Sequence, residues 1–273
     1  MIIWLASYPK SGNTWLRALL STYFFAQQKD KLNFDILKEI PNFVQSRFFS
    51  KIVDLNKLKN EPLEICNYWN AAQTRINLSN ETKFFKTHNA CVSVKEKWFT
   101  TKENSIGYIY IVRDPRSVVC SMASHSNIKI ENSVEDLLNK NFIGYNGEYS
   151  LAELTCSWKI NYLSWKKKKN FPGIIIKYED FKDNPYNEFE KILLFLKDKI
   201  NFKFDKVSVQ KTLDTCSFTN LKNLENDKGF VEAKNGKFFR KGLKDSWKTE
   251  LPSSLQKKIE NNLGEEMREL GYI

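Results

Sequence analysis

The sequence predicts an α/β fold in which helices cover both faces of a central parallel sheet. Short apolar runs alternate with longer amphipathic segments along the chain, which is typical of parallel strands connected by helices. A length of 273 residues and a hydrophobic content of 41% suit one large unit with a substantial core. No low-complexity linker interrupts the chain, so we expect a single domain over residues 1–273.

Four short apolar runs are the candidate strands of this sheet. They are Ile2–Ala6, Lys83–Lys86, Tyr108–Val112 and Ile174–Tyr178. Their length and their high content of β-branched and aromatic residues favour buried strands over helices. Residues 29–80 contain only short amphipathic pieces and no clear strand.

Helices are predicted where apolar residues recur on one face. An amphipathic helix over Trp15–Phe25 follows the first strand, with apolar residues at i, i+3, i+4 and i+7. The apolar stripe of Leu151–Trp165 indicates one long helix. In the final helix, Ser253 and Gln256 have the spacing of a capping box.

Composition argues against several classes of protein. No run of about 18 uncharged apolar residues occurs, so a membrane-spanning helix is not expected. The N-terminus lacks the pattern of a secretory signal, and we therefore expect a cytoplasmic protein. The five cysteines are scattered and form no C-x-x-C pair, which indicates buried thiols and neither a zinc site nor a disulfide framework. No carboxylate cluster for magnesium is evident, so no metal is expected.

The net charge of +11 is compatible with three kinds of partner. Nucleic acid, an anionic membrane and a polyanionic small ligand would all be attracted by it. The lysines are spread along the chain, as on solvated helix faces, and do not form one basic patch. We therefore expect a small anionic ligand and no nucleic-acid partner.

A tight loop that could surround one phosphate group connects the first strand to the first helix. It reads Tyr8-Pro9-Lys10-Ser11-Gly12-Asn13-Thr14-Trp15. Backbone N–H groups at the start of a helix, with a lysine beside them, make an anion site. The loop is not a Walker A sequence, because its first glycine is missing and Lys10 precedes Gly12. The domain is therefore P-loop-like, with a phosphate site of another lineage.

This octapeptide closely resembles the loop that holds the 5′-phosphosulfate in sulfotransferases that use 3′-phosphoadenosine 5′-phosphosulfate (PAPS). The resemblance implies that the 5′-phosphate is cradled by Lys10, Ser11, Gly12, Asn13 and Thr14. Asn13 stands where the animal cytosolic enzymes usually have threonine, and an amide can also form hydrogen bonds to a phosphate.

A second candidate phosphate site follows the strand that ends at Val112. Asp114 and Pro115 are typical of a helix start, so Arg113 lies at the carboxyl edge of the sheet and Ser121 two turns into the next helix. By their positions alone, these two side chains could bind a phosphate, or they could form an ion pair and an ordinary helix surface. In the sulfotransferases, an arginine and a serine eight positions later bind the 3′-phosphate of PAPS. The resemblance implies this role for Arg113 and Ser121.

A third motif lies near the C-terminus. Arg240, Lys241 and Gly242 resemble the R-K-G loop of the family, which folds over the same 3′-phosphate. The three motifs occur in the family's order and span residues 8–248. Residues 245–248 read D-S-W-K where the family commonly has G-D-W-K, and the dimer motif K-T-V-E is not recognisable. The resemblance therefore gives no prediction about the oligomeric state.

The catalytic residues are predicted in the segment Phe84–His88, which ends in K-T-H. A lone histidine after a strand is commonly structural. The same tripeptide is catalytic in the sulfotransferases, and the resemblance implies that His88 is the general base for the acceptor hydroxyl. Lys10 and Lys86 are the candidate cations that stabilise charge on the departing phosphate. His125 is assigned to structure or to the rim of the pocket.

Three aromatic residues are implied as the adenine site. Trp15 ends the phosphate loop, Tyr178 begins a Y-E-D triplet like that of the family, and Phe218 ends a C-S-F triplet similar to the family's T-S-F. Packing in the core is the alternative role for all three.

The acceptor site is predicted only in outline. Its candidate walls are residues 29–80, Asn89–Phe99 and Lys140–Tyr149, which are loop-like and rich in aromatic residues. An aromatic cleft would favour a phenol or a sterol-like alcohol. The same residues could instead pack the core, and a sugar or a peptide scaffold is equally compatible. The prediction is a small acceptor with a hydroxyl or, alternatively, an amine.

The predicted reaction is in-line transfer of a sulfuryl group from PAPS to this acceptor, which leaves 3′-phosphoadenosine 5′-phosphate (PAP). A P-loop kinase or NTPase is one alternative, but it should have a lysine after the second loop glycine and an aspartate for magnesium. A non-catalytic protein that binds nucleotides or nucleic acid is the other. It would bind oligonucleotides in a salt-sensitive manner and would need no role for His88.

Overall fold

A four-stranded parallel sheet lies at the centre of the computed structural model, which describes residues 1–26, 32–145, 150–233 and 236–273. The strands are β1 (Ile2–Ser7), β2 (Lys83–Thr87), β3 (Ser93–Val94), β4 (Lys97–Trp98), β5 (Ser105–Val112), β6 (Ile143–Tyr145), β7 (Ala152–Leu154) and β8 (Gly173–Lys177). The helices are α1 (Asn13–Phe25), α2 (Leu55–Asn60), α3 (Trp69–Asn77), α4 (Pro115–Ser126), α5 (Ile130–Leu138), α6 (Trp158–Lys166), α7 (Tyr178–Asp183), α8 (Pro185–Lys197), α9 (Lys206–Thr215), α10 (Phe218–Lys228), α11 (Trp247–Glu250) and α12 (Ser253–Glu269). Three 3₁₀ helices precede β2, at Phe34–Glu39, Ser46–Phe48 and Pro62–Tyr68.

The four strands of the central sheet are those predicted from the apolar runs. Their spatial order is β2-β1-β5-β8, and every neighbouring pair is parallel. At the carboxyl ends of the strands the register aligns Ala6 with Thr87, Ser7 with Ile111, and Val112 with Lys177. All four strands therefore end at one edge of the sheet.

Helices cover both faces of the sheet, as predicted, because successive strand residues point to opposite sides. In β1, Ile3 and Leu5 pack into one apolar cluster together with α1, α8 and α9. Ile2, Trp4 and Ala6 pack into the other cluster together with α4, α5, α6 and α12. The alternation along β1 thus supplies both halves of the core.

The predicted long helix over Leu151–Trp165 is wrong in its first half. Residues 152–154 form β7, which pairs antiparallel with β6. Cys156 has a φ of 58°, in the left-handed region, and this conformation separates the strand from the helix. Helix α6 begins only after Ser157, whose hydroxyl caps its first turn. The apolar spacing that resembled one helix belongs to a strand and a helix in series.

The final helix, α12, lies where it was predicted but lacks the capping box. Pro252 is the N-cap residue, so Ser253 is already the first helical residue and its hydroxyl is not in the capping position. The side-chain amide of Gln256 donates to a carboxylate oxygen of Glu260 at 2.9 Å and does not reach back to the cap. The two residues have the spacing of the motif, but the helix begins one residue earlier than a capping box at Ser253 requires.

All five cysteines are buried and free, as their scattered positions predicted. Burial raises the pKa of the Cys66 and Cys91 thiols to about 12, so these thiols remain protonated. Across the described parts of the chain, no helix has both the length and the apolar character to cross a membrane.

Candidate active site

One edge of the sheet brings together residues from four distant parts of the sequence. Tyr8, His88, Arg113 and Tyr178 each come directly after the last residue of a central strand. Parallel strands that end together place such residues side by side, and this is where open α/β sheets bind their ligands. The predicted phosphate loop, the predicted base and the predicted 3′-phosphate arginine therefore share one edge.

The loop after β1 has the backbone geometry of an anion site. Lys10 and Gly12 have φ values of 64° and 102°, both in the left-handed region, and α1 begins immediately afterwards. The N–H groups of Asn13 and Thr14 open this helix and have no intrahelical acceptor. Position 12 requires glycine, because a Cβ there would lie 2.6 Å from the ring of Tyr178.

The polar side chains of this loop differ in what they can offer to a phosphate. The Ser11 hydroxyl is buried and has no hydrogen-bond partner among the described residues. The Asn13 amide donates to the carbonyl of Leu5 at 3.0 Å and to the hydroxyl of Ser7 at 3.2 Å. Asn13 therefore holds the loop against β1 with its side chain and retains its backbone N–H for an anion, whereas the Ser11 hydroxyl is available.

Arg113 links the phosphate loop to the segment after the R-K-G triplet. Its guanidinium donates to the carbonyl of Lys10 at 3.1 Å and to that of Leu243 at 2.9 Å, and it stacks 4.4 Å from the ring centre of Tyr178. Its buried Nε–H finds no acceptor within residues 1–26, 32–145, 150–233 and 236–273. A buried donor left unsatisfied between two candidate phosphate elements fits a bound phosphate oxygen.

The R-K-G triplet is held in place by a carboxylate and by an aromatic ring. Arg240 and Lys241 each form an ion pair of 2.8 Å with Glu250, and both remain partly exposed. Gly242 has a φ of 62°, and a Cβ there would lie 2.5 Å from the ring of Phe218. The triplet thus presents two cations, and the backbone conformation at its last position can be adopted only by glycine.

Helix α4 carries the remaining 3′-phosphate candidate. Asp114 caps the helix by accepting the N–H of Arg116 at 2.9 Å, and Pro115 is the first helical residue, as predicted. Ser121 is half-buried on this helix, and its contact with a phosphate stays a prediction. The ring of His125 packs edge-on against Phe238, with 5.6 Å between the ring centres, which agrees with a structural role.

The predicted base is fixed by three polar partners. Nδ1 of His88 lies 2.8 Å from the carbonyl oxygen of Ser7, which can only accept, so Nδ1 carries the hydrogen and Nε2 keeps its lone pair. The backbone N–H of His88 donates to Glu153 at 2.8 Å, and its carbonyl accepts the amide of Asn161 at 2.9 Å. This is the tautomer and the rigid placement that a general base requires.

Electrostatics keep His88 neutral. Burial lowers its pKa well below the usual 6.5, and the positive charge of Lys86 acts in the same direction. Lys86 is itself buried, two residues earlier on β2. The unprotonated imidazole is therefore the dominant form at neutral pH.

The three predicted adenine residues have different surroundings. The indole N–H of Trp15 donates to the carbonyl of Cys216 at 3.0 Å. The ammonium of Lys182 lies 5.6 Å from the ring centre of Trp15 and 5.4 Å from that of Phe218, so these two rings border one space. Tyr178 is buried beneath the phosphate loop, where its ring packs against the backbone.

A partly buried ion pair beside the phosphate loop was not predicted. Arg17 of α1 pairs with Glu232 at 2.7 Å, and the other oxygen of Glu232 accepts the hydroxyl of Thr14 at 3.2 Å. Burial would raise the pKa of Glu232, but Arg17 and Lys86 lower it to about 2. Arg17 could have been noticed as a charge within an apolar helix. Glu232 belongs to no motif and is far away in sequence.

The candidate acceptor walls divide into core and surface residues. Four of the aromatic residues are completely buried in the core, namely Phe43, Phe49, Trp69 and Phe99. Phe48, Tyr68 and Phe142 are partly buried at the edge of that core, and Tyr145 is exposed. Tyr149 lies outside the described residues. Packing, the alternative that was left open, thus accounts for the first four.

Comparison with known proteins gives a consistent result over the whole chain. The sequence pattern of the sulfotransferase domain matches residues 2–271. Flavonol 4′-sulfotransferase from Flaveria chlorifolia is 25% identical over 281 residues, which are 99% of this chain and 80% of that protein. Amine sulfotransferase from Oryctolagus cuniculus is 23% identical over 277 residues, covering 98% of this chain and 81% of that protein.

Solved structures share the fold at lower identity. A mouse sulfotransferase complexed with PAP superimposes with a TM-score of 0.61 at 20% identity, covering 98% of this chain and 84% of that one. Retinol dehydratase in a complex with retinol and PAP gives 0.63 at 19% identity, covering 97% and 81%. The α/β fold is confirmed, and the kinase and non-catalytic alternatives are set aside. Because the domain pattern extends over nearly its whole length, this chain belongs to the sulfotransferase-domain family and is a PAPS-dependent sulfotransferase.

Proposed function

We propose that the chain transfers the sulfuryl group of PAPS to a hydroxyl of a small acceptor, with His88 as the general base. The hydrogen bond of 2.8 Å between Nδ1 of His88 and the carbonyl of Ser7 carries this proposal. Ser7 is the last residue of β1 and immediately precedes the phosphate loop. The base is therefore attached to the element that would hold the group being transferred.

The proposed reaction is a direct displacement at sulfur. The acceptor hydroxyl gives its proton to Nε2 of His88 while its oxygen bonds to sulfur, and the bond between sulfur and the 5′-phosphate oxygen breaks. The electron pair of that bond stays on the phosphate, and PAP leaves. Lys10, Lys86 and the first N–H groups of α1 would stabilise the negative charge that develops there.

The donor is proposed to lie along the edge of the sheet. The loop Lys10–Thr14 would hold the 5′-phosphate, and its buried Ser11 hydroxyl supports this assignment. Arg113 and Ser121, together with residues 240–242, would hold the 3′-phosphate, and the unsatisfied Nε–H of Arg113 supports this side. Trp15 and Phe218 would border the adenine, with Tyr178 beneath them.

The acceptor is proposed to enter beside the backbone of β2. The N–H of Phe43 donates to the carbonyl of Lys86 at 3.0 Å, so the segment around residue 43 runs beside β2, the strand that immediately precedes His88. Relatives are named flavonol sulfotransferases and an amine sulfotransferase, so a phenol is the first acceptor class to test and an amine the second. Relatives from Arabidopsis thaliana are named cytosolic, which supports a cytoplasmic location.

Calorimetric titration with PAP in metal-free buffer tests the donor site, with ATP as the comparison. We expect tight binding of PAP and weak binding of ATP, because the 3′-phosphate has its own cations. A preference for ATP with magnesium would contradict the proposal. Turnover is then measured with PAPS and 4-nitrophenol, and with an aromatic amine in place of the phenol.

A further inference from the structure

The backbone that leads into the R-K-G triplet is bound by a single carboxylate. Glu225, on α10, accepts the N–H of Phe238 at 2.6 Å with one oxygen and the N–H of Phe239 at 2.9 Å with the other. Arg240 is the next residue along the chain. A side chain from a preceding helix thus sets the direction from which the triplet starts.

This carboxylate is buried, which makes its two bonds consequential. The residue is only 2% exposed, and no lysine or arginine of the described segments lies within ion-pair distance of Glu225. Burying a carboxylate has a large desolvation cost that hydrogen bonds must offset, and charge-assisted bonds to backbone N–H groups are among the strongest available. An apolar residue would avoid that cost but could not hold two consecutive N–H groups.

Helix α10 also holds the other end of the triplet. Its first residue, Phe218, lies against Gly242, where an added Cβ would be 2.5 Å from the ring. The residue after Gly242 is Leu243, and its carbonyl accepts a hydrogen bond of 2.9 Å from Arg113. The triplet is therefore fixed to α10 at both ends and joined to the arginine proposed for the 3′-phosphate.

We propose that Glu225 is a positioning residue for donor recognition. By holding the backbone of Phe238 and Phe239, its carboxylate sets the reach of Arg240 and Lys241 toward the 3′-phosphate. This inference depends on the proposed function, in which the R-K-G loop binds that phosphate. Loss of the Glu225 carboxylate should weaken binding of the 3′-phosphate most. The effect on the 5′-phosphate loop should be smaller but present, because the ammonium of Lys10 lies 3.9 Å from the ring centre of Phe238.

Calorimetry with PAP and with adenosine 5′-phosphate separates these two effects. We expect Glu225→Ala to weaken PAP binding at least tenfold and binding of adenosine 5′-phosphate by no more than about threefold. Glu225→Gln keeps one acceptor oxygen and should give an intermediate loss, since its NH₂ group faces the second N–H. Asp227→Asn is the matched control, because Asp227 is an exposed carboxylate on the same helix, and it should bind both nucleotides like the wild type.

A general loss of structure would weaken both nucleotides equally, and that result would overturn the positioning role. If Glu225→Ala does not fold, Glu225→Gln decides the question by the same ratio of affinities. Arg240→Ala separates the proposed role of the R-K-G loop in binding the 3′-phosphate from the proposed positioning role of Glu225. If Arg240→Ala keeps the preference for PAP, the 3′-phosphate role of the loop fails and the role of Glu225 fails with it. If Arg240→Ala loses the preference and the Glu225 variants keep it, only the inference about Glu225 fails.

Discussion

The proposed donor side of the active site and its proposed acceptor side contain different kinds of group. The donor side uses backbone N–H groups, glycines in left-handed conformations and cations, and three of its buried polar atoms have no partner among the described residues (Ser11 Oγ, Asn13 Oδ1 and Arg113 Nε). The candidate acceptor walls are aromatic side chains, of which Phe43 and Phe99 are completely buried in the core.

The contrast teaches where a local sequence pattern can reveal function. A phosphate cradle needs a particular backbone path over a few consecutive residues, and this requirement restricts residue types at fixed spacing. An apolar pocket wall needs only the residue types that a core also needs. The proposed donor site therefore has a recognisable sequence pattern, whereas residues of an acceptor site have the same sequence pattern as core residues.

Substitution of His88, the proposed base between the donor and the acceptor, should have the largest effect. We expect His88→Ala to lower kcat with PAPS and 4-nitrophenol by about 10²- to 10⁴-fold, because proton removal from the acceptor is lost. The affinity for PAP, measured by calorimetry, should change less than about twofold, since the imidazole does not hold the donor. A parallel loss of PAP binding would show that His88 is structural and that the two sides are not separable.

Arg113 tests whether the donor side recognises the 3′-phosphate separately. Arg113→Ala removes a charged donor and should weaken PAP binding by about 10- to 150-fold, at ~1.5–3 kcal/mol for a hydrogen bond to a charged group. Binding of adenosine 5′-phosphate should change much less. Equal weakening of both nucleotides would assign Arg113 to general support of the loop through its bonds to Lys10 and Leu243.

Gly12 tests the claim that backbone geometry defines the donor side. Gly12→Ala combines a left-handed φ of 102° with a Cβ only 2.6 Å from the Tyr178 ring. We expect a loss of about 1–3 kcal/mol in the free energy of unfolding, together with weaker PAP binding. Gly236→Ala is the matched control, because its φ of 99° is close to that of Gly12 and its Cβ would meet open space. Chemical denaturation should show the smaller loss for Gly236→Ala, and equal losses would contradict the role of the Tyr178 contact.

Two phenylalanines test the division of the acceptor side into core and wall. Phe99→Leu changes a completely buried ring and should lower the free energy of unfolding by about 1–1.5 kcal/mol, with an unchanged KM for 4-nitrophenol. Phe142→Leu changes a partly exposed ring that lies 6.5 Å from the ring of Tyr8. It should leave stability nearly unchanged and shift the KM by about threefold or more. A KM effect confined to Phe99→Leu would reverse the assignment.

The smallest expected effect is the pH dependence of the base. Burial and the charge of Lys86 disfavour the imidazolium form of His88, so the pKa of His88 in the folded protein lies below 6.5. Activity should therefore fall only as the pH decreases below that value. Lys86→Met removes the second of these causes, raises the pKa of His88 and should move the acidic limb of kcat/KM upward toward pH 6.5. An acidic limb at or above pH 6.5 in the wild type would contradict this account.

Local features of the chain were sufficient to predict the four strands, the short loop between β1 and α1, and the cap at Asp114. Each depends on hydrogen bonds or steric limits among residues close in sequence, and such limits restrict residue types position by position. Where the same residues were compatible with two different structures, the prediction was wrong or left both structures open. The stripe over Leu151–Trp165 fits a helix, but a left-handed residue at Cys156 divides it.

The contacts between distant segments could be found only in the folded chain. The carboxylates of Glu232 and Glu225 reach the phosphate loop and the R-K-G segment, yet neither belongs to a recognisable motif. The Asn13 amide points toward β1 although its position in the loop suggested the ligand. An aromatic residue has the same local signature in a core as in a pocket wall. Burial, which depends on everything packed around a side chain, determines which of the two it becomes.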